Sequence, residues 1–376
     1  MKKYSLFLAI VLAISAFSIT LNSSTDDYQF VPIAIQGLSM CALTSSGAVR
    51  CVGSQTLRNF ADLSKGVVAI VSGWAYTCAL ISSGEVKCWG DNRKGQLCFP
   101  FPDTSQDKPV HSGDDFKAIT AGLEHTCGIT KSNKVLCWGD NDKGQIGSDR
   151  PHTLIDKVEI AGLKNDIKSI SAGTKHTCAL NYSGGIKCWG FNESGQLGDG
   201  TNNNSSIPVD VKGLTQGIKA ISAGDIFNCA LTSNGGVKCW GNNHSGQLGD
   251  GTTVERRIPV LVKGLEKGIS SISAGSDHAC ALTLNGGVKC WGGNMMFEIG
   301  DGTTVERHIP VDVVGLSSGV KFIKAANFLT CVLTNTNQIK CWGRAIGGEG
   351  IPGWTPKAEL EDENRKSHKI PYEVKF

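Results

Sequence analysis

The chain has 376 residues, a net charge of +3, 40% hydrophobic residues and only 19% charged residues. This near-neutral balance, without a stripe of lysine and arginine, argues against a nucleic-acid-binding protein. The 15 cysteines instead indicate a folded protein of an oxidising compartment.

The N-terminal segment has the pattern of a secretory signal peptide. Residues 1–3 are a basic start, residues 6–16 are apolar apart from one serine, and Ala16-Phe17-Ser18 provides a small-x-small cleavage site. We therefore predict a signal peptide over residues 1–18, a polar linker over 19–30, and a protein that is secreted, at the cell surface or periplasmic. The alternative is an uncleaved anchor, although the segment is only just long enough to span a bilayer. After cleavage we expect no membrane span.

The cysteines reveal an internal repeat. Fourteen of them form seven pairs whose partners are ten residues apart, and from Cys127 onward the first cysteines of successive pairs are 51 residues apart. A period of roughly 40 to 50 residues built from short strands is typical of a propeller. In one copy the strand and turn patterns predict strands over Ile218–Ser222, Asn228–Thr232, Val237–Trp240 and Ile258–Val262. The sequence thus predicts an all-β fold, a seven-bladed β-propeller of four-stranded blades over residues 31–376.

The cysteine spacing also predicts disulfides. Cys178 and Cys188 are equally distant from Ser183 in the intervening turn, so they would face each other across a hairpin. Clustered CxxC or HxxxH spacings, which zinc would need, do not occur. The predicted bonds are Cys41 to Cys51, Cys78 to Cys88, Cys127 to Cys137, Cys178 to Cys188, Cys229 to Cys239, Cys280 to Cys290 and Cys331 to Cys341.

Cys98 is the odd cysteine, in a loop where an apolar stretch begins. Four interpretations stay open for it: a semi-buried thiol, a reactive free thiol, an intermolecular disulfide, or exchange with a neighbouring disulfide.

The repeated string ISAG…HTCAL…GGVKCWG…GQLGDGT closely resembles the regulator of chromosome condensation repeat. The resemblance extends from about Val31 to the C-terminus. It implies a seven-bladed propeller with a protein-binding face, and it leaves the partner open because one fold hosts many roles. The member that gives the family its name is a nuclear guanine-nucleotide exchange factor for a small GTPase; others are photoreceptors, ubiquitin-ligase modules and secreted bacterial inhibitors.

Other recurring residues have structural interpretations. A tryptophan follows the second cysteine in six copies and is expected to wedge between blades. His125, His176 and His278 recur with the repeat, which favours structural hydrogen bonds over a catalytic triad. Asp140-Asn141-Asp142-Lys143-Gly144 departs from the calcium-loop pattern and is interpreted as a turn. We therefore predict no enzymatic activity, no metal and no cofactor.

Residues 370–375 repeat the pattern of Ile207–Lys212, which we interpret as the fourth strand of a copy. Because the first copy lacks a complete preceding strand of this kind, we predict that residues 370–375 close the ring by pairing with the N-terminal blade.

The binding surface is predicted at positions whose residues differ from copy to copy while the flanking strand residues stay the same. Between the first and second strands each copy has a three-residue connection, and all connections should ring one face. The predicted partner-binding residues are Trp74, Tyr76, Glu124, Lys175, Ile226, Phe227, Asp277 and Phe328. The alternative is that the aromatic residues among them plug the central channel.

Function is therefore predicted as a monomeric, secreted or cell-surface module that binds an unidentified protein through loops on one face. The alternatives are guanine-nucleotide exchange on a small GTPase, which the family resemblance suggests, and carbohydrate binding at a cell surface. The predicted signal peptide and disulfides argue against a cytosolic GTPase as the partner.

Overall fold

The computed structural model describes residues 31–36, 39–44, 46–53, 61–98, 105–113, 115–149, 157–344 and 367–374. The predicted signal peptide and linker lie outside these residues. No helix among the described residues is both long and apolar enough to cross a membrane.

The described chain forms seven antiparallel sheets, six of them four-stranded. The N-terminal sheet has three strands: β1 (Val31–Gln36), β2 (Ser39–Leu43) and β3 (Val49–Gly53). A short 3₁₀ helix, Ala61–Leu63, precedes the next sheet. The prediction of four strands in every copy is therefore wrong for the first copy as the structure describes it, because its sheet order is β1-β2-β3 and no fourth strand pairs with it.

The six four-stranded sheets are called blades 1 to 6. Blade 1 contains β4 (Val67–Ser72), β5 (Tyr76–Ile81), β6 (Val86–Gly90) and β7 (Gln106–Gly113); blade 2 contains β8 (Phe116–Ala121), β9 (His125–Thr130), β10 (Val135–Gly139) and β11 (Val158–Glu159); blade 3 contains β12 (Ile167–Ala172), β13 (His176–Asn181), β14 (Ile186–Gly190) and β15 (Ser205–Asp210). Blade 4 contains β16 (Ile218–Ala223), β17 (Phe227–Thr232), β18 (Val237–Gly241) and β19 (Arg256–Leu261); blade 5 contains β20 (Ile269–Ala274), β21 (His278–Thr283), β22 (Val288–Gly292) and β23 (Arg307–Asp312); blade 6 contains β24 (Val320–Ala326), β25 (Leu329–Thr334), β26 (Ile339–Arg344) and β27 (Ser367–Val374).

Each blade is a meander whose first strand is innermost. The first strands of successive blades contact one another and line a central channel with a cavity of about 190 Å³. β1 of the N-terminal sheet contacts both β4 of blade 1 and β24 of blade 6. The strands of blade 4 match their predicted bounds to within two residues.

The C-terminal strand does not lie where the sequence analysis placed it. β27 pairs with β26, with Cys341 opposite Tyr372, and is therefore the outer strand of blade 6. The prediction that it joins the N-terminal blade is wrong, because β27 continues the meander of its own blade as β15 and β19 do in theirs. The first and last sheets meet instead through their inner strands β1 and β24.

All seven predicted disulfides are present. Partner cysteines lie directly opposite each other in register, with Cα atoms 4.0 to 4.1 Å apart. In blade 3 the Cys178–Cys188 disulfide is buried together with Ile221 and Trp240 of blade 4. The disulfides therefore contribute to the hydrophobic core between blades. Cys98 is not part of a disulfide.

The repeated tryptophan is the predicted wedge between blades. In blades 2 to 6 its side chain is fully buried, and its indole N–H donates to a backbone carbonyl of the preceding blade. These bonds, of 2.8 to 2.9 Å, are Trp138 to Gln96, Trp189 to Gln145, Trp240 to Gln196, Trp291 to Gln247 and Trp342 to Glu298. Burying one tryptophan of 150 to 250 Å² contributes roughly 4 to 6 kcal/mol at about 25 cal/mol per Å².

Candidate partner-binding face

One end of the propeller, called the channel face, contains two sets of loops. The first set is the connections between the first and second strands, and the second set is the loops between the third and fourth strands. Backbone bonds hold the two sets together, for example Phe191 N to Lys175 O at 2.9 Å and Asn242 N to Ile226 O at 3.0 Å. The hairpins between second and third strands, which include Tyr182 and Leu284, lie at the opposite end, called the hairpin face.

The third residue of each connection is turned inward. In blade 3 the imidazole of His176 packs against Gly173, and a Cβ atom on that glycine would lie 2.1 Å from the ring. The same holds for Gly73 with Tyr76 and for Gly224 with Phe227. Glycine is therefore required at this position, because the ring packs where a Cβ atom would lie. In blade 6, where Ala326 replaces the glycine, the smaller Leu329 replaces the ring.

This geometry corrects two of the predicted partner-binding residues. Tyr76 and Phe227 occupy the ring position and are fully buried. The prediction that either side chain contacts a partner directly is therefore wrong, because each is enclosed between its own blade and the next. Neither belongs to a channel plug, since neither lines the cavity.

The ring residues bond to the next blade. His125 Nε2 lies 2.9 Å from Thr177 Oγ1, which itself donates to the Gln145 carbonyl at 3.2 Å. The hydroxyl proton is thus already used, so Nε2 must carry the imidazole proton. His278 does the same with Thr330, and His176 Nε2 donates to Asn228 Oδ1 at 3.0 Å. The predicted structural role of these histidines agrees with this geometry.

Burial keeps the three imidazoles neutral. Desolvation lowers the pKa of His125 to about 3, of His176 to about 4 and of His278 to about 3.

The rest of each connection remains on the channel face. Backbone hydrogen bonds run from one connection to the next: Trp74 N to Leu123 O at 2.9 Å, Leu123 N to Thr174 O at 3.2 Å, Thr174 N to Asp225 O at 3.0 Å, and Ser276 N to Asn327 O at 3.3 Å. These bonds, called the belt, link the connections of blades 1 to 4 and, separately, those of blades 5 and 6. A partner would therefore meet a preorganised surface.

The remaining predicted residues differ in exposure. Trp74 is 55% exposed and Phe328 is 37% exposed, while Asp277 is also exposed. Glu124, Lys175 and Ile226 are half-buried. Met295, 71% exposed in a loop between third and fourth strands, adds a third large apolar side chain to the face. Met295 is not one of the predicted partner-binding residues. The sequence signal for it is the apolar run Met295-Met296-Phe297 within a turn.

Charge on the channel face differs between its two sides. Lys94 Nζ lies 3.3 Å from Asp140 Oδ1, and Lys175 Nζ lies 3.3 Å from Asp140 Oδ2. Although burial alone would raise the pKa of Asp140, these two ammonium groups hold it below its ordinary value. Across the face, burial raises the pKa of Asp225 to about 6, against hydrogen bonds from Ser276 and Thr174.

The acidic side continues into blade 5. Burial and the nearby charge of Glu306 raise the pKa of Asp277, and burial raises that of Glu298. Among the described residues there is no group of three His, Cys, Asp or Glu side chains that could hold a metal ion. The absence of enzymatic activity stays a prediction.

Comparisons with known proteins agree with this architecture. The profile of the RCC1-like domain matches residues 20–269, and that of the regulator of chromosome condensation (RCC1) repeat matches residues 269–294. A chain of the crystal structure of Kap60 bound to yeast RCC1 (Prp20) has a TM-score of 0.73 at 19% identity, over 86% of this chain and 78% of that chain.

Two curated relatives are similar over part of their length. The chain is 31% identical to Ultraviolet-B receptor UVR8 of Arabidopsis thaliana over 56% of this chain and 46% of that protein. It is 34% identical to E3 ubiquitin-protein ligase HERC2 of Homo sapiens over 50% of this chain and 4% of that protein. The chain thus spans less than half the length of either relative. Because the domain profile alone covers well over half of the sequence, the chain belongs to the RCC1-like domain family.

Proposed function

We propose that this protein is a protein-binding module of an oxidising compartment, and that a partner docks on the channel face around Trp74, Phe328 and Met295. The observation that carries the proposal is the exposure of Trp74 and Phe328 on connections that the belt links, with exposed Met295 on a neighbouring loop that is tied to a connection by the bond from Gly293 N to Asp277 O. Large apolar side chains on an exposed, preorganised surface are typical of interaction sites.

Several features support the details of the proposal. Seven disulfides favour a secreted, cell-surface or periplasmic location, because thiols are kept reduced in the cytosol. The contact of β1 with both β4 and β24 supports the N-terminal sheet as the seventh blade of a closed ring. Yeast RCC1 (Prp20) was crystallised with Kap60 bound, which gives one example of a protein partner for a chain of similar fold.

Aromatic residues and charge pairs define the expected partner surface. Trp74 and Phe328 are large anchors that alanine would truncate without removing a buried group. The acidic side near Asp277 would orient a partner that presents positive charge to it. We expect no catalytic residue in this interaction.

The test is affinity capture with the mature protein from the extracellular or periplasmic fraction, followed by measurement of Kd for the captured protein. Trp74→Ala and Phe328→Ala should each weaken binding by about 1 to 3 kcal/mol, or roughly 5- to 150-fold. Tyr182→Ala and Leu284→Ala are matched controls, because these exposed side chains lie on the hairpin face, and they should bind as the parent does.

Two results would reject the proposal. One is unchanged affinity in both channel-face variants. The other is a mature protein that captures no protein partner but binds glycans on an array. That result would favour the carbohydrate alternative. Capture of a small GTPase with accelerated nucleotide release would favour the exchange alternative.

A further inference from the structure

One position of the inner strands differs between blades in a way that the partner-binding face does not explain. In blades 2 to 5 this position is a hydroxyl residue: Thr120, Ser171, Ser222 and Ser273. Each hydroxyl oxygen accepts a backbone N–H of the following blade, from Ala172, Ala223, Ala274 and Ala325, at 2.9 to 3.1 Å. In blade 6 the same position is Lys324.

Lys324 lines the central channel and is surrounded by protein there. The channel space leaves the side chain half-exposed, yet the enclosing strands desolvate the ammonium and lower its pKa. Within the described part of the chain its ammonium makes no hydrogen bond or ion pair. Such an enclosed cation is unfavourable unless an anion or ordered solvent compensates it.

The other channel residues show what could compensate it. Lys324 and Asp225 are the only ionisable side chains among the described residues that line the cavity. Asp225 follows the turn at Gly224, and burial raises the pKa of its carboxyl group to about 6. No ion pair joins Asp225 to Lys324, so the ammonium inside the channel has no carboxylate of the described protein in direct contact.

The channel also offers donors beside the cation. Since Thr120, Ser171 and Ser222 use their oxygens as acceptors, each retains a hydroxyl proton for another partner. A cavity of about 190 Å³ is smaller than the roughly 300 to 1,000 Å³ of a pocket for a drug-sized ligand. It therefore suits a small molecule and not a polypeptide segment.

We propose that the central channel is a binding site for a small oxyanion, a carboxylate or a phosphate, with Lys324 as its counter-charge and the channel hydroxyls as additional donors. The site lies inside the channel and adjoins the channel-face surface, because Trp74 belongs to both. It is therefore tested in the absence of a protein partner.

The test uses two probes, inorganic phosphate and succinate, titrated by calorimetry into the mature, oxidised protein at constant ionic strength. The wild type should bind at least one probe with a stoichiometry of one. Lys324→Ser should bind that probe at least tenfold more weakly. This variant places in blade 6 the residue that blades 3, 4 and 5 already have, so it should fold, and its thermal unfolding confirms this.

Lys321→Ser is the matched control. Lys321 belongs to the same strand but is exposed and does not line the channel, so its removal should leave the affinity unchanged. The proposal is overturned if the wild type binds neither probe, if Lys324→Ser binds as the wild type does, or if Lys321→Ser weakens binding equally, which would indicate a general charge effect.

Discussion

The contact between the ring residue of one blade and the next blade can be tested with residues that the protein itself provides. His176 of blade 3 donates to Asn228 of blade 4, and both groups are buried. One blade further on, Phe227 occupies the ring position, and the residue that corresponds to Asn228 is Ala279. A polar ring thus faces a polar residue, and an apolar ring faces alanine. The variant pair His176→Phe and Asn228→Ala copies this second arrangement.

The expected energies follow from hydrogen-bond satisfaction. His176→Phe alone leaves Asn228 Oδ1 as a buried acceptor without its donor, which costs about 1 to 3 kcal/mol. Asn228→Ala alone removes the acceptor of the imidazole N–H and also the bond from Nδ2 to the Gln196 carbonyl at 2.8 Å. The double variant leaves neither polar group unpaired, so it should recover about 1 to 2 kcal/mol relative to the sum of the single variants.

The assay is urea unfolding of the four oxidised proteins, compared at equal m-values. A coupling free energy near zero would refute the reasoning, because the two residues would then contribute independently. A double variant destabilised by more than the sum of the single variants would refute it as well, since the Phe227 arrangement would not be transferable.

Two further predictions concern pH and the disulfides. The three buried histidines stay neutral in the folded protein down to about pH 3 to 4 but take up protons near pH 6.5 when unfolded. Between pH 6 and 5 each should therefore lower the free energy of unfolding by about 1.2 kcal/mol as the pH falls. Asp225, whose pKa burial raises to about 6, takes up protons in the folded state over this interval and offsets part of this loss. Unfolding is measured at both pH values. The dependence of the unfolding free energy on pH should be smaller by about one proton in the His176→Phe, Asn228→Ala variant than in the wild type. An unchanged dependence would contradict the assignment of His176 as neutral in the folded protein. Replacing Cys178 and Cys188 by alanine should lower stability by roughly 2.5 to 3 kcal/mol, because their disulfide closes a loop with a sequence separation of 10. Non-reducing peptide mapping should find the pairs within hairpins, and dominant linkages between blades would contradict the fold.

Much of the fold could be predicted because the repeat exposes it. The constant spacing of Cys178 and Cys188 fixes a hairpin register, and the recurrence of Trp189 at one position marks the interface between blades. The place of the C-terminal strand was not predictable from its pattern alone, because the pattern identifies an outer strand but not the sheet that it joins.

The candidate site was predicted only in part. Tyr76 and Phe227 looked like exposed loop aromatics, because a three-residue connection does not reveal which side chain turns inward. The signal lay farther along the chain: residue 228 is polar where residue 176 is His, and residue 279 is Ala where residue 227 is Phe. Lys324 was visible as a departure from the hydroxyl position, but its enclosure in the channel depends on how the blades assemble.

The most direct test of the partner-binding proposal is hydroxyl-radical footprinting of the mature protein with and without its captured partner. The account predicts that Trp74, Met295 and Phe328 lose reactivity in the complex, while Tyr182 and Leu284 on the hairpin face keep theirs. Protection of Tyr182 and Leu284 with Trp74, Met295 and Phe328 unchanged would contradict it and place the partner on the hairpin face.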